Sequence, residues 1–268
     1  MASAAALSLL AVLGAGDEAA RSELFGRLRP SVVVLEATSA SGDRLAHGTG
    51  FVVRADGLVA TNHHVIDGFT TMRAVFADGR KVPVTGVVFS EPKNDLAVVK
   101  LDQAGLTPLP LGRSDGLTEG STIFVLGNPL GLDFTFSQGV VSAVRARGLP
   151  ADSRLELKDA DRQPLLQLDV NSDFGGSGSP VVDAEGRVVG VLVSKMGRSL
   201  FAVPVDTLSG LLEARPLDEP ARPLKQVPWW NLVISGVVLG LTLLLLKGRL
   251  RLSRGPPKAQ RRYTGYEE

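Results

Sequence analysis

Three residue types that can together hydrolyse an acyl bond occur in this chain, each in a setting that suits it. The first is a serine between glycines, Gly175-Gly176-Ser177-Gly178-Ser179-Pro180, just ahead of an apolar run. Glycines there open backbone conformations closed to other residues and let a substrate carbonyl come close. The amides of Gly175 and Ser177 can then point at one spot and hold a developing oxyanion. Taken alone, a flexible turn is the plain alternative for this segment. A serine hydroxyl is a weak nucleophile until a base takes its proton and a third group orients the base. Two of the three histidines stand side by side in Ala60-Thr61-Asn62-His63-His64-Val65-Ile66. Asp95 opens the apolar run Leu96–Leu101, where an isolated carboxylate is costly unless a positive or hydrogen-bonding group meets it.

The elements that must position these groups read as strands. The runs on either side of Asp56-Gly57 form a hairpin that delivers the histidine pair at a strand end. Ser31–Ala37, Thr49–Arg54, Val82–Phe89, Leu96–Leu101, Thr122–Gly127, Gly139–Val144, Leu165–Val170, Pro180–Val182, Val188–Ser194 and Leu200–Val205 are the candidate strands. Their short spacing and turn punctuation favour all-β packing over βαβ units. The 268 residues, 44% of them hydrophobic, suffice for a two-lobed domain with appendages. A formal charge of +1 carries no nucleic-acid signature. With no cysteine, a thiol nucleophile and disulfide staples are excluded. No spaced His/Asp/Glu set suggests a metal, no cofactor is expected, and His47 reads as a solvated turn residue.

In order and surroundings, the histidine, aspartate and serine resemble those of trypsin-like serine proteases of the HtrA/Deg type. Members read roughly T-N-x-H-V, D-L-A and G-N-S-G-G-P, and the likeness runs from about residue 30 to 210. It includes Val125–Leu132, Gln138–Ala143, Gln167–Asp169 and Gly186–Val191. The resemblance implies two six-stranded antiparallel barrels, about 29–112 and 113–213, within a protease domain over 21–213. It makes His64 the general base, Asp95 its orienting acid, Ser177 the nucleophile, and the amides of Gly175 and Ser177 the oxyanion hole. It walls a specificity pocket with Val170, Asn171, Phe174, Leu192 and Ser194, suited to small apolar side chains; Asp173 would instead favour a basic one. The polar stretch Gly148–Arg162 falls where relatives place activation loops. Two departures stand out: Gly176 where asparagine is usual, and Ser179 in place of the second glycine. The latter would distort the oxyanion hole if its position needed positive φ. That leaves a catalytically inactive domain that binds peptides or partner proteins as the alternative to an endopeptidase acting on unfolded or envelope polypeptides.

The two ends bear on location. Ala4–Gly16, within residues 1–20, has the length of a signal-peptide core, although no lysine or arginine precedes it; a cytoplasmic N-terminal helix packed on the protease domain is the alternative. The stretch 214–228, with Pro216, Pro220, Pro223 and Pro228, reads as an extended tether too short to form a PDZ domain. Trp229–Leu246 is long enough to span a bilayer, and the tail 247–268 begins with Lys247, Arg249 and Arg251. The positive-inside rule keeps that tail cytoplasmic, so the protease domain is expected on the extracytoplasmic face, anchored in lipid. Gly236 and Gly240 form a G-x-x-x-G that would let two such helices pair as a homo-oligomer.

Overall fold

A computed structural model describes residues 18–38, 44–128, 134–146, 163–170, 176–196 and 199–224. The chain divides at residue 225 into two units, and every described residue belongs to the first.

Twelve strands among the described residues close into two six-stranded antiparallel barrels. The first comprises β1 (Val32–Thr38), β2 (Arg44–Arg54), β3 (Leu58–Thr61), β4 (Met72–Phe76), β5 (Lys81–Glu91) and β6 (Leu96–Leu101), in the order β1-β2-β3-β6-β5-β4. The second comprises β7 (Thr122–Gly127), β8 (Thr135–Arg145), β9 (Leu165–Val170), β10 (Pro180–Val182), β11 (Val188–Met196) and β12 (Ser199–Pro204), in the order β10-β11-β12-β9-β8-β7. Closure leaves no long unpaired strand edge. Each barrel fills its own interior, Val33, Leu35 and Val99 in the first and Ile123, Leu168 and Val181 in the second. A third cluster joins the barrels through Phe51, Leu96, Phe124, Val191 and Phe201.

The strand reading missed β4. Met72, Ala74 and Phe76 alternate inward along it, but Arg73 interrupts the apolar signal. Arg73 is held instead by Glu36 on β1, at 2.8 Å. Residue 205 starts a helix, α3 (Val205–Glu213), rather than ending the last strand. At the other end a helix over residues 18–28, α1, buries Leu24 and Leu28 in the cluster between the barrels. It therefore begins inside the stretch read as a leader; the apolar run Ala4–Gly16 lies outside the described residues.

The proline-rich stretch also departs from its expectation over residues 214–224. It does not run free. It docks on the first barrel, where Arg222 pairs with Val87 of β5 and Leu224 is buried in the core. Among the described residues no helix is long and apolar enough to cross a membrane; the expected span 229–246 lies outside them.

One surface network ties this stretch to the Asp56-Gly57 hairpin. The Asp56 carboxylate accepts from Arg54 Nε at 2.8 Å, Arg54 Nη2 at 2.7 Å and Lys100 Nζ at 2.9 Å. Arg54 also reaches the Leu217 carbonyl at 3.2 Å and Asp218 at 2.9 Å. The Arg54 guanidinium, helped by Lys100, holds the Asp56 carboxyl well below the usual carboxylate range. A folded value below the unfolded one contributes stability above about pH 4 that is lost as pH falls. Because the Asp56 side chain is 40% exposed, solvent screening limits that contribution to roughly 1 kcal/mol or less. Asp56→Asn is therefore expected to lower Tm slightly at neutral pH, with the gap from the parent protein closing below about pH 4. A gap that stays constant down to pH 2.5 would show that the carboxylate's charge is not what matters.

Candidate active site

The histidine pair sits where β3 ends. Thr61 closes the strand, Asn62 is fully buried, and residues 63–66 make a single helical turn, α2 (His63–Ile66), seated by buried Val65 and Ile66. The turn presents His64 to β6. Its Nδ1 lies 2.6 Å from one Asp95 carboxylate oxygen, and its main-chain N–H donates to the other at 2.9 Å. The Asp95 side chain is 9% exposed and that of His64 48%, so the acid is covered while the imidazole opens to solvent. Asn62 Nδ2 donates to the Asp95 carbonyl at 2.9 Å. These contacts hold Asp95 at φ 50, in the left-handed region that aspartate tolerates better than most residues.

The serine turn is pinned to the same strands. Thr49 of β2 donates its N–H to the Ser177 carbonyl at 2.8 Å and accepts from Thr61 Oγ1 at 2.7 Å. Its own hydroxyl accepts from the Asn128 N–H at 3.1 Å. One fully buried threonine thus ties the serine turn of the second barrel to the strand that ends three residues before His64. Gly178 takes φ +85 at this junction, against the Thr49 carbonyl. The position that needs positive φ is therefore Gly178, and Ser179 escapes the strain anticipated for it.

Ser179 instead closes the turn. Its hydroxyl donates to the Gly176 carbonyl at 2.6 Å and its N–H to the same oxygen at 3.0 Å. In a trans peptide the carbonyl and the following N–H point in opposite directions. Anchoring the Gly176 carbonyl on Ser179 therefore turns the Ser177 N–H away from that residue, leaving it free to donate elsewhere. The two departures from the family pattern also fit each other: a Cβ at Gly176 would come within 2.7 Å of Ser179 Oγ. Gly176→Asn alone is expected to cost stability, and Gly176→Asn with Ser179→Gly to regain most of it. A coupling of about 1–2 kcal/mol between the sites in a double-mutant cycle on Tm checks this. Additive effects would refute the fit.

The remaining expected site residues fall differently. Gly175, Asn171 and Phe174 lie outside the described residues. Val170 and Leu192, read as pocket walls, are 4% and 1% exposed and belong to the apolar core of the second barrel. Leu192 reaches the site through its main chain, accepting from Gly178 N–H and donating to Ser179 O, both at 2.9 Å. Ser194 pairs with Phe201 along β11 and β12.

A double barrel with a covered aspartate on a half-open histidine, and a glycine-flanked serine tied to the adjoining strands, defines a class. Residues 48–191 match the family described as trypsin-like peptidase domain, and the chain belongs to that family. It is 33% identical over 214 residues to Protease Do-like 1, chloroplastic, of Arabidopsis thaliana, covering 74% of this chain and 47% of that protein. It is 34% identical over 171 residues to Serine protease HTRA2, mitochondrial, of Drosophila pseudoobscura pseudoobscura, covering 63% of this chain and 39% of that one. The chain thus spans less than half the length of these curated relatives. Among solved structures it resembles the HtrA-type protease AlgW with tripeptide, at TM-score 0.61 and 30% identity, over 72% of this chain and 62% of that one.

Proposed function

We propose that this chain is an HtrA-type serine endopeptidase that cleaves polypeptides through an acyl-enzyme. Ser177 Oγ attacks the scissile carbonyl carbon while His64 Nε2 takes the hydroxyl proton. His64 then gives that proton to the leaving amine, and a water activated by the same imidazole releases the acyl group. Asp95 fixes the tautomer that leaves Nε2 unprotonated and steadies the imidazolium. The amides of Ser177 and Gly175 bind the oxyanion.

The observation that carries this reading is the double grip of Asp95 on His64, through Nδ1 and the main-chain N–H together. The positive φ at Gly178 rather than Ser179 removes the main reason for preferring an inactive peptide-binding domain. A fluorophosphonate probe tests it: the adduct is expected on the Ser177 peptide by mass spectrometry. Labelling elsewhere, or none with the protein folded, would overturn the assignment.

The same proposal places the domain on the extracytoplasmic face, with no PDZ domain between it and a membrane helix over 229–246 whose Gly236 and Gly240 favour pairing. Support comes from the apolar run and its basic flank. Alkaline carbonate should leave the protein with the membrane pellet; release into the supernatant would remove the anchor.

A further inference from the structure

We propose that residues 214–224 form a positioning strap for the catalytic acid, with Arg215 as its working contact. The proposal rests on the peptidase reading of His64 and Asp95. On leaving α3 at the second barrel, the chain crosses to the first and follows β5. Arg222 exchanges main-chain hydrogen bonds with Val87, at 2.6 and 2.8 Å. The approach is close enough that a Cβ on Gly86 would fall 2.4 Å from the Arg222 carbonyl oxygen. At the near end of the strap, Arg215 Nη2 donates to Glu91 at 2.8 Å while its guanidinium lies 4.7 Å from the Phe89 ring centre. The strap therefore grips the last residues of β5.

The same strand end is gripped from the site. Ser90 Oγ, between Phe89 and Glu91, is 2.6 Å from Nδ1 of His63. Both histidines of the pair are thus held at Nδ1 by one hairpin, His63 by Ser90 on β5 and His64 by Asp95 at the head of β6. Only the turn 92–94 separates Glu91 from Asp95. Asp95 keeps φ 50, a conformation that persists in a non-glycine residue when its surroundings determine it. Arg215 and Ser90 fix the strand end from which that turn departs, so they help to set where the carboxylate meets the imidazole. An ion pair as open to water as Arg215–Glu91, with side chains 32% and 27% exposed, adds little to folding. Its effect should lie in placement, where small displacements of a catalytic group cost large factors in rate.

The test compares the 268-residue chain with Arg215→Ala and Arg215→Lys, by the low-field proton resonance of His64 Nδ1–H, the fluorophosphonate labelling rate and Tm. Arg215→Ala is expected to shift or broaden the resonance and slow labelling about tenfold, with Tm within about 2 °C of the parent. Arg215→Lys, which keeps the charge for Glu91 but loses the planar stack on Phe89, should fall between. A resonance unmoved and a labelling rate within twofold of the parent in Arg215→Ala would overturn the proposal. Should Arg215→Ala fail to fold, Arg215→Lys and Glu91→Gln answer by the same two readouts. The resonance needs no turnover: if the parent chain shows it without being labelled, the peptidase reading fails while the strap is still judged.

Discussion

Asp95→Asn is expected to lower kcat on an unfolded polypeptide by about 10⁴-fold with the fold retained. The carboxylate accepts two hydrogen bonds from one residue, His64 N–H at 2.9 Å and Nδ1 at 2.6 Å. That arrangement requires the proton on Nδ1, which leaves Nε2 free as a base. An amide has one acceptor and one donor end. With its oxygen kept on the main-chain N–H, its NH₂ faces Nδ1 and forces the proton to Nε2, where it blocks uptake from Ser177. With the amide turned over, its oxygen accepts from Nδ1–H and keeps the useful tautomer, but two donors then confront each other at the main-chain contact, so this rotamer is disfavoured and the base is rarely available. The backbone is spared, because asparagine adopts positive φ as readily as aspartate. A melting temperature near the parent's together with the fall in kcat checks both halves. A loss below tenfold would remove Asp95 from the mechanism.

What the sequence makes legible here, and what it hides, divides along the reach of the contacts. Apolar runs and turn residues mark most strands because each strand's signal is local, and β4 is lost because its outward-facing arginine interrupts the apolar run although the inward alternation is kept. The glycine-flanked serine and the histidine pair stand out because their residue types are rare in those contexts. Thr49 does not: a threonine between glycines in a strand looks ordinary, and its importance comes from partners at positions 61, 128 and 177. Ser179 reads as a liability until the turn shows which residue carries the positive φ. The docked stretch 214–224 is hidden for the same reason as Thr49. Four prolines in 214–228 suit an extended tether and an extended strap equally well, and only Leu217 and Leu224 among the docked residues hint at burial. α1 escapes because its amphipathic residues follow directly on an apolar run that dominates any reading of that end.

Gly178→Ala is expected to be the most damaging single substitution in the serine turn, at about 3–5 kcal/mol of stability and with labelling lost. Two causes act together. At φ +85 any L side chain is strained, and a Cβ would lie 2.0 Å from the Thr49 carbonyl oxygen and 2.5 Å from Thr61 Oγ1. Neither neighbour can yield cheaply, since that oxygen already accepts from that hydroxyl at 2.7 Å and both residues are fully buried. Relief requires moving the turn off β2, which breaks the Thr49 N–H bond to Ser177 and carries the proposed nucleophile with it. Gly79→Ala separates the causes: it too has φ +85, but nothing lies within 4 Å of its would-be Cβ. Backbone strain alone should cost about 1–2 kcal/mol there and leave labelling intact. Were the two variants to melt together, the close packing of Gly178 on Thr49 would not be what holds the serine in place; if they differ as expected, one buried threonine sets the seat of Ser177 from the opposite barrel.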